Sequence, residues 1–70
     1  MNKLEGYQLV PVWERTLLTL DEAAAYTGVG TKKLRTLSDE PLCDFVLWIG
    51  KHRMFKRKKL EEYLEKQTSL

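Results

Sequence analysis

Hydrophobic and polar positions alternate in two different periods along this chain, and the switch between them sets the architecture. Residues 1–12 show neither period. Pro11 ends any regular element there, so residues 1–10 read as a tail and Pro11–Trp13 as its anchor, with Trp13 expected to cover one side of the core. Leu17-Leu18-Thr19-Leu20 is a short apolar run that suits a small strand. It leads into Thr19-Leu20-Asp21-Glu22, where a hydroxyl sits three residues before a carboxylate, the spacing of a capping box. Leu20, Ala23, Ala24 and Thr27 then recur at i, i+3, i+4 on one helical face. Gly28 supplies a stop, because glycine reaches the left-handed region that ends helices.

After the tight Val29-Gly30 link, a second helix is predicted from Thr31 to about Asp39, buried through Leu34 and Leu37 and closed by Pro41. Phe45-Val46-Leu47-Trp48-Ile49 is short and rich in β-branched and aromatic residues, which favours a strand. Gly50-Lys51 forms a tight turn, and His52–Lys56 returns as a second strand. A last helix is predicted over Arg57–Lys66 with Leu60, Tyr63 and Leu64 inward, and residues 67–70 fray. Two short helices joined through Gly28-Val29-Gly30 form a helix-turn-helix pattern. The expected fold is therefore α+β: a small winged helix-turn-helix with a two-stranded hairpin wing and a C-terminal helix. The domain spans residues 11–66, between tails at 1–10 and 67–70.

Composition narrows the function. Seventy residues with 43% hydrophobic and 31% charged positions make one ordinary globular domain with a thin core. A deep substrate cleft does not fit this size. No apolar run approaches the roughly 20 residues that cross a bilayer, and the N-terminal stretch lacks the apolar core of a secretory signal. One cysteine, Cys43, excludes an internal disulfide and reads as a small buried or half-buried residue. One Cys and one His do not make a zinc site. No phosphate-binding loop or paired acid/base set is present, so no enzyme activity, metal or cofactor is expected. A reducing cytoplasm fits this usage.

The net charge of +2 conceals a strong segregation. Nine of the twelve Lys and Arg residues fall between Val29 and Lys59, against three acids, a local balance of +6, while each flank carries −2. That concentration is suited to phosphate. On the second helix, Thr31, Lys32, Lys33, Arg35 and Thr36 form a basic, hydroxyl-bearing face. The N-terminal part of such a helix enters the major groove, where Arg35 can pair with guanine and Thr36 with a phosphate, a base edge or a thymine methyl. The plain alternative is a solvated helix face. Lys51, His52 and Arg53 cluster at the hairpin tip, which in a winged helix reaches a minor groove or the backbone. Lys56-Arg57-Lys58-Lys59 opens the last helix, where the macrodipole disfavours cations by roughly 0.3–1 kcal/mol each. A local rule broken without structural gain points to function, here phosphate attraction through Lys56, Arg57 and Lys58. Phe45 and Trp48 are expected to pack on the helices.

These residues resemble a known family. Pro11-Val12-Trp13-Glu14-Arg15, Leu18-Thr19-Leu20-Asp21-Glu22-Ala23, Gly30-Thr31-Lys32-Lys33-Leu34-Arg35 and Phe55-Lys56-Arg57-Lys58 are similar to stretches of the excisionases (Xis) of conjugative transposons, from about Pro11 to Lys66. The helix-turn-helix part is shared with MerR-like regulators and phage excisionases. The resemblance implies a non-enzymatic architectural protein that binds double-stranded DNA near the ends of a mobile element. There it bends the DNA and promotes excision by a tyrosine recombinase, the integrase. Cooperative self-association on DNA belongs to the same picture. The recognition-helix positions carried over are Thr31, Lys32, Lys33, Arg35 and Thr36, and the wing positions are Lys51, His52 and Arg53. Two other readings remain open at this point: a MerR-like winged-helix transcriptional regulator, and a protein-interaction module that holds an acidic partner through Trp13, Trp48 and the basic face.

Overall fold

The computed structural model describes residues 10–70. The tail expected over 1–10 lies, up to residue 9, outside the described residues. A single 3-10 turn at Val12–Glu14 is followed by β1 (Leu17–Thr19), α1 (Leu20–Thr27), α2 (Thr31–Ser38), β2 (Val46–Ile49), β3 (His52–Lys56) and α3 (Arg57–Glu65). The order matches the sequence pattern, with element ends within a residue of those expected.

The first helix begins as its spacing requires. The Thr19 hydroxyl accepts from the Glu22 amide at 3.2 Å, and the Glu22 carboxylate accepts from the Thr19 amide at 2.9 Å. Asp21 and Glu22 also face the positive end of the helix dipole. Gly28 ends α1 at φ 82°, in the left-handed region, with its amide bonded to the Ala24 carbonyl at 2.9 Å. The Thr27 hydroxyl donates to the Ala23 carbonyl and accepts from the Val29 amide. The turn into α2 is thereby held by side-chain as well as backbone bonds.

The hairpin β2–β3 has a two-residue loop, Gly50-Lys51, with Ile49 paired to His52. Gly50 has φ 62° and no non-glycine residue among those described has positive φ. A positive φ only at the first central position is the type II′ arrangement, whose twist matches that of paired strands.

The two-stranded β2–β3 wing does not stand free of the core. β1 joins it, giving an antiparallel sheet of order β1-β3-β2. Leu18 pairs with Phe55, and Phe55 pairs with Val46. By alternation, Leu18, Phe55 and Val46 share the face turned to the helices. That face meets Ala23 of α1, Leu34 and Leu37 of α2, Phe45 and Leu60 of α3, and these residues form the core with Leu18 and Phe55. Phe45, just before β2, lies 6.2 Å from the Phe55 ring centroid and 5.0 Å from that of Tyr63. Cys43 is half-buried against this cluster.

Two aromatic expectations are corrected. Trp13 is 63% exposed, and Val12 packs on the core in its place. Adjacent residues of a 3-10 turn point about 120° apart, so only one of the two can face inward. Trp48 is 50% exposed. It shares the inner face of the sheet but lies beyond the core, toward the hairpin tip.

Phe55 is fully buried on the central strand. Phe55→Ala is expected to cost about 3–5 kcal/mol, most of the stability of a domain this small. Thr19→Ala is expected to cost about 1 kcal/mol through the lost cap. Urea denaturation followed by circular dichroism checks both: Phe55→Ala should be largely unfolded in buffer, and Thr19→Ala should shift the midpoint only slightly.

Candidate nucleic-acid interface

The helices differ in how their N-termini are finished. α1 has a capping box and acids in its first turn. α2 begins at Gly30 and α3 at Lys56, without a side-chain cap and without an acid in the first turn. At α3 the first amide, that of Arg57, is taken by the Thr16 carbonyl, and Lys32, Lys33, Lys58 and Lys59 fall in the first turns of the two helices. Neither start has the acid or the side-chain cap that stabilises α1.

On α2 the burial of Leu34, Leu37 and Ser38 turns Thr31, Lys32, Lys33, Arg35 and Thr36 to solvent. Ser38 satisfies its hydroxyl internally by donating to the Arg35 carbonyl at 2.9 Å. The Thr36 hydroxyl donates to the Lys32 carbonyl at 3.1 Å. Thr36 therefore presents an acceptor oxygen and a methyl group outward, not a free donor. The Arg35 side chain is exposed, and Arg35 lines an open groove between α2 and the wing.

That groove, of about 270 Å3, is lined by Leu20, Arg35, Trp48, Lys51 and Arg53. α2 and the wing thus converge on one depression. Lys51 occupies the turn and is exposed. Arg53 is less free than a wing cation was expected to be. One guanidinium nitrogen donates to Asp39 at 3.1 Å, and the group lies 4.8 Å from the Trp48 ring centroid. Only 19% of its side chain is exposed, and its buried Nε has no hydrogen-bond partner. His52, opposite Ile49, belongs to the other face of the sheet and is exposed.

Lys56 also points to that other face, opposite Leu17. With Arg57, Lys58, Lys59, Glu14 and Thr16 it lines a separate hollow of about 340 Å3 at the start of α3. The eleven residues singled out in the sequence therefore fall into three groups: the α2 face, the groove side of the wing, and the outer sheet face with the α3 start.

Arg57 differs from its basic neighbours. Its backbone amide donates to the Thr16 carbonyl at 3.0 Å. Its Nε donates to the Arg15 carbonyl at 2.7 Å, and another guanidinium nitrogen bonds Glu61 at 3.0 Å. Only 13% of the side chain is exposed. The guanidinium is a clasp between the chain entering β1 and α3. Glu61 in turn accepts from the Tyr26 hydroxyl at 2.7 Å, which ties α1 to α3. Nearby, Arg15 pairs with Glu22 and donates from Nε to the Val10 carbonyl. The basic run is therefore not without structural gain: Arg57 has one, while Lys58 is exposed and Lys59 only approaches Glu62 at 3.9 Å.

Trp48 and Asp39 are the residues of the groove region that the sequence reading left without a role there. The hairpin count holds the signal for Trp48: a two-residue Gly50-Lys51 loop sets residue 48 opposite residue 53. The Asp39 contact, from the end of α2 to β3, leaves no local trace. Among the described residues no cluster of three or more His, Cys, Asp or Glu is placed to hold a metal, and no helix is long and apolar enough to cross a membrane.

The clasp makes two measurable predictions. Arg57→Gln removes charge-assisted hydrogen bonds from a largely buried site and is expected to cost roughly 2 kcal/mol in urea denaturation. The Tyr26 pKa is raised above its ordinary 10.0, first by the hydrogen bond to Glu61, then by partial desolvation and the Glu61 charge, against an opposing pull from Arg57. The bond is thus present at neutral pH and lost only as pH rises through that raised value. Glu61→Gln should bring the Tyr26 titration, followed by NMR of the labelled ring, back toward the ordinary value.

The family described as excisionase from transposon Tn916 matches residues 1–70. A curated relative, the excisionase from transposon Tn916 of Streptococcus agalactiae serotype V, is 35% identical over 57 residues, which cover 80% of this chain and 85% of the relative. No solved structure matches the chain. With the whole chain matched and a relative this similar across most of both lengths, the protein belongs to the Tn916 excisionase family.

Proposed function

We propose that this protein serves the excision of a mobile element as a DNA-binding accessory factor, not as a catalyst. α2 enters the major groove, and the β2–β3 wing reaches the adjacent minor groove or its backbone. The observation that carries this reading is the convergence of Arg35 and Lys51 on one groove, in a chain whose relative is named for transposon excision.

The roles follow from exposure and chemistry. Arg35 reads a base edge, with guanine O6 and N7 as its matching acceptors. Thr36 offers its methyl group and an acceptor. Thr31, Lys32 and Lys33, around the uncapped start of α2, take phosphates at the groove wall. Lys51 takes phosphate at the wing tip. Lys56 and Lys58 add positive potential on the outer side, and His52 offers a hydrogen-bond contact to phosphate there. Arg57 acts through the fold. Residues 11–66 form the DNA-binding domain in this reading, and the protein works in the cytoplasm.

A domain this small covers a short site, so several copies on neighbouring sites, cooperating along the duplex, would combine their effects. Bending DNA through 40–90° costs on the order of 1–6 kcal/mol, and one-sided phosphate neutralisation by several copies offsets that. The bent duplex then presents its sites to a tyrosine recombinase, the integrase, in a geometry that favours excision.

Selection of bound duplexes from a random pool, repeated across a salt series, tests the reading. A recovered motif with affinity falling steeply in salt is the expected result. Lys51→Ala should weaken binding to all duplexes and reduce the magnitude of the log–log salt slope by about 1. Arg35→Ala should relax base preference, with a loss of about 1–3 kcal/mol on the selected site. No binding at low salt would overturn the proposal and leave the basic stretch to a protein partner.

A further inference from the structure

The groove between α2 and the wing contains features that phosphate attraction does not explain. Its walls carry Arg35 and Lys51, but its lining also includes the apolar Leu20 and the indole of Trp48. Trp48 is half exposed on a strand whose other residue on this face, Val46, is partly buried. An exposed indole costs solubility, and the core would not miss it. Yet its position is set. It pairs with Arg53 across the hairpin, and the Arg53 guanidinium lies over its ring at 4.8 Å. Arg53 is fixed in turn by Asp39 at the end of α2. The indole is thus held relative to the recognition helix by a chain of two contacts.

We infer that this groove takes the sugar–phosphate strand that separates the major groove from the neighbouring minor groove, with Trp48 packed on its deoxyribose and Arg53 as the residue that positions Trp48. The inference rests on the duplex-binding reading above. When a helix enters one groove and a wing the next, one backbone strand must pass between them. That strand alternates anionic phosphate with an apolar sugar face. The groove offers the same alternation, with cations at Arg35 and Lys51 and apolar surface at Leu20 and Trp48. Asp39 already neutralises much of the Arg53 charge, so Arg53 contributes orientation more than phosphate binding. This arrangement assigns Trp48 a contact that is strong and independent of base sequence.

An apolar contact neutralises no phosphate, and this separates Trp48 from the lysines. Trp48→Ala should weaken binding at least about tenfold, because the exposed half of the indole offers more than enough apolar area even if only part of it converts to affinity, on the selected duplex and an unrelated duplex alike. The salt slope should stay unchanged. Arg53→Ala should also weaken binding without changing the slope. Arg53→Lys, which keeps the charge but loses the planar stack and fork, should not restore affinity.

The full-length chain with Trp13→Phe, a change at an exposed position, leaves Trp48 as its single indole. Acrylamide quenching of its fluorescence is measured with and without saturating duplex, and binding is followed separately by anisotropy of the labelled DNA. Severalfold protection of Trp48 on binding is the expected result. This arm uses the native Trp48, so it decides the matter even if Trp48→Ala does not fold. Binding with Trp48 as accessible as before would overturn the inference and leave the duplex-binding reading standing. So would a Trp48→Ala loss confined to the selected duplex, which would mean base reading. A slope reduced by about 1 in Arg53→Ala would mean direct phosphate contact and would overturn its positioning role. No anisotropy change at low salt would sink both readings.

Discussion

The pairing of β1 with β3 through Leu18 and Phe55 is the constraint on which the rest of the structure depends. Without it the helix-turn-helix and the wing would be neighbours joined by a loop. With it, Phe55 stands at the centre of a three-stranded sheet, fully buried, with Leu18 on one side and Val46 on the other. α1 grows directly out of β1 and α3 directly out of β3, so this one pairing also fixes where two of the three helices begin. The Arg57 clasp secures the same junction with charge-assisted bonds to Arg15 and Glu61. Hydrophobic burial and polar closure therefore act at the same place, which suits a domain too small to rely on its core alone.

Rigidity at that junction matters because the recognition surface has two parts. α2 is packed through Leu34 and Leu37, and the wing is continuous with the core sheet. Asp39, Arg53 and Trp48 then link the end of α2 to the hairpin. The spacing between helix and wing is set in the free protein, so little ordering remains to be done on binding. The charge distribution is uneven in the same way: the first turn of α1 carries acids that suit the helix dipole, and the starts of α2 and α3 carry cations without a side-chain cap.

Much of this was legible in the sequence because much of it is local. The Thr19–Glu22 capping box, the Gly28 stop and the Gly50-Lys51 turn each depend on residues within a few positions, and all are observed. Long-range facts were not legible in the same way. Nothing near Leu17–Thr19 reveals that β3 is its partner, so the short strand was expected without its place beside the wing. The inward choice between Val12 and Trp13 depends on which side of a short turn meets α1, which hydrophobicity alone does not decide. Arg57 shows the limit most clearly. In sequence it is one of four adjacent cations. In the fold its partners are a carbonyl from before β1 and a carboxylate one turn on. Trp48 was expected to pack on the helices because hydrophobicity does not report the exposure that sets it apart.

NMR shift mapping of the isotope-labelled protein with a duplex at low salt tests the central claim most directly, because it reports every backbone amide at once. The account predicts shifts concentrated at Thr31–Thr36 on α2 and at Trp48–Arg53 on the wing, with the later turns of α3 around Glu62 and Glu65 unaffected. Shifts confined to α3, or none on α2 and the wing while the DNA is bound, would contradict it.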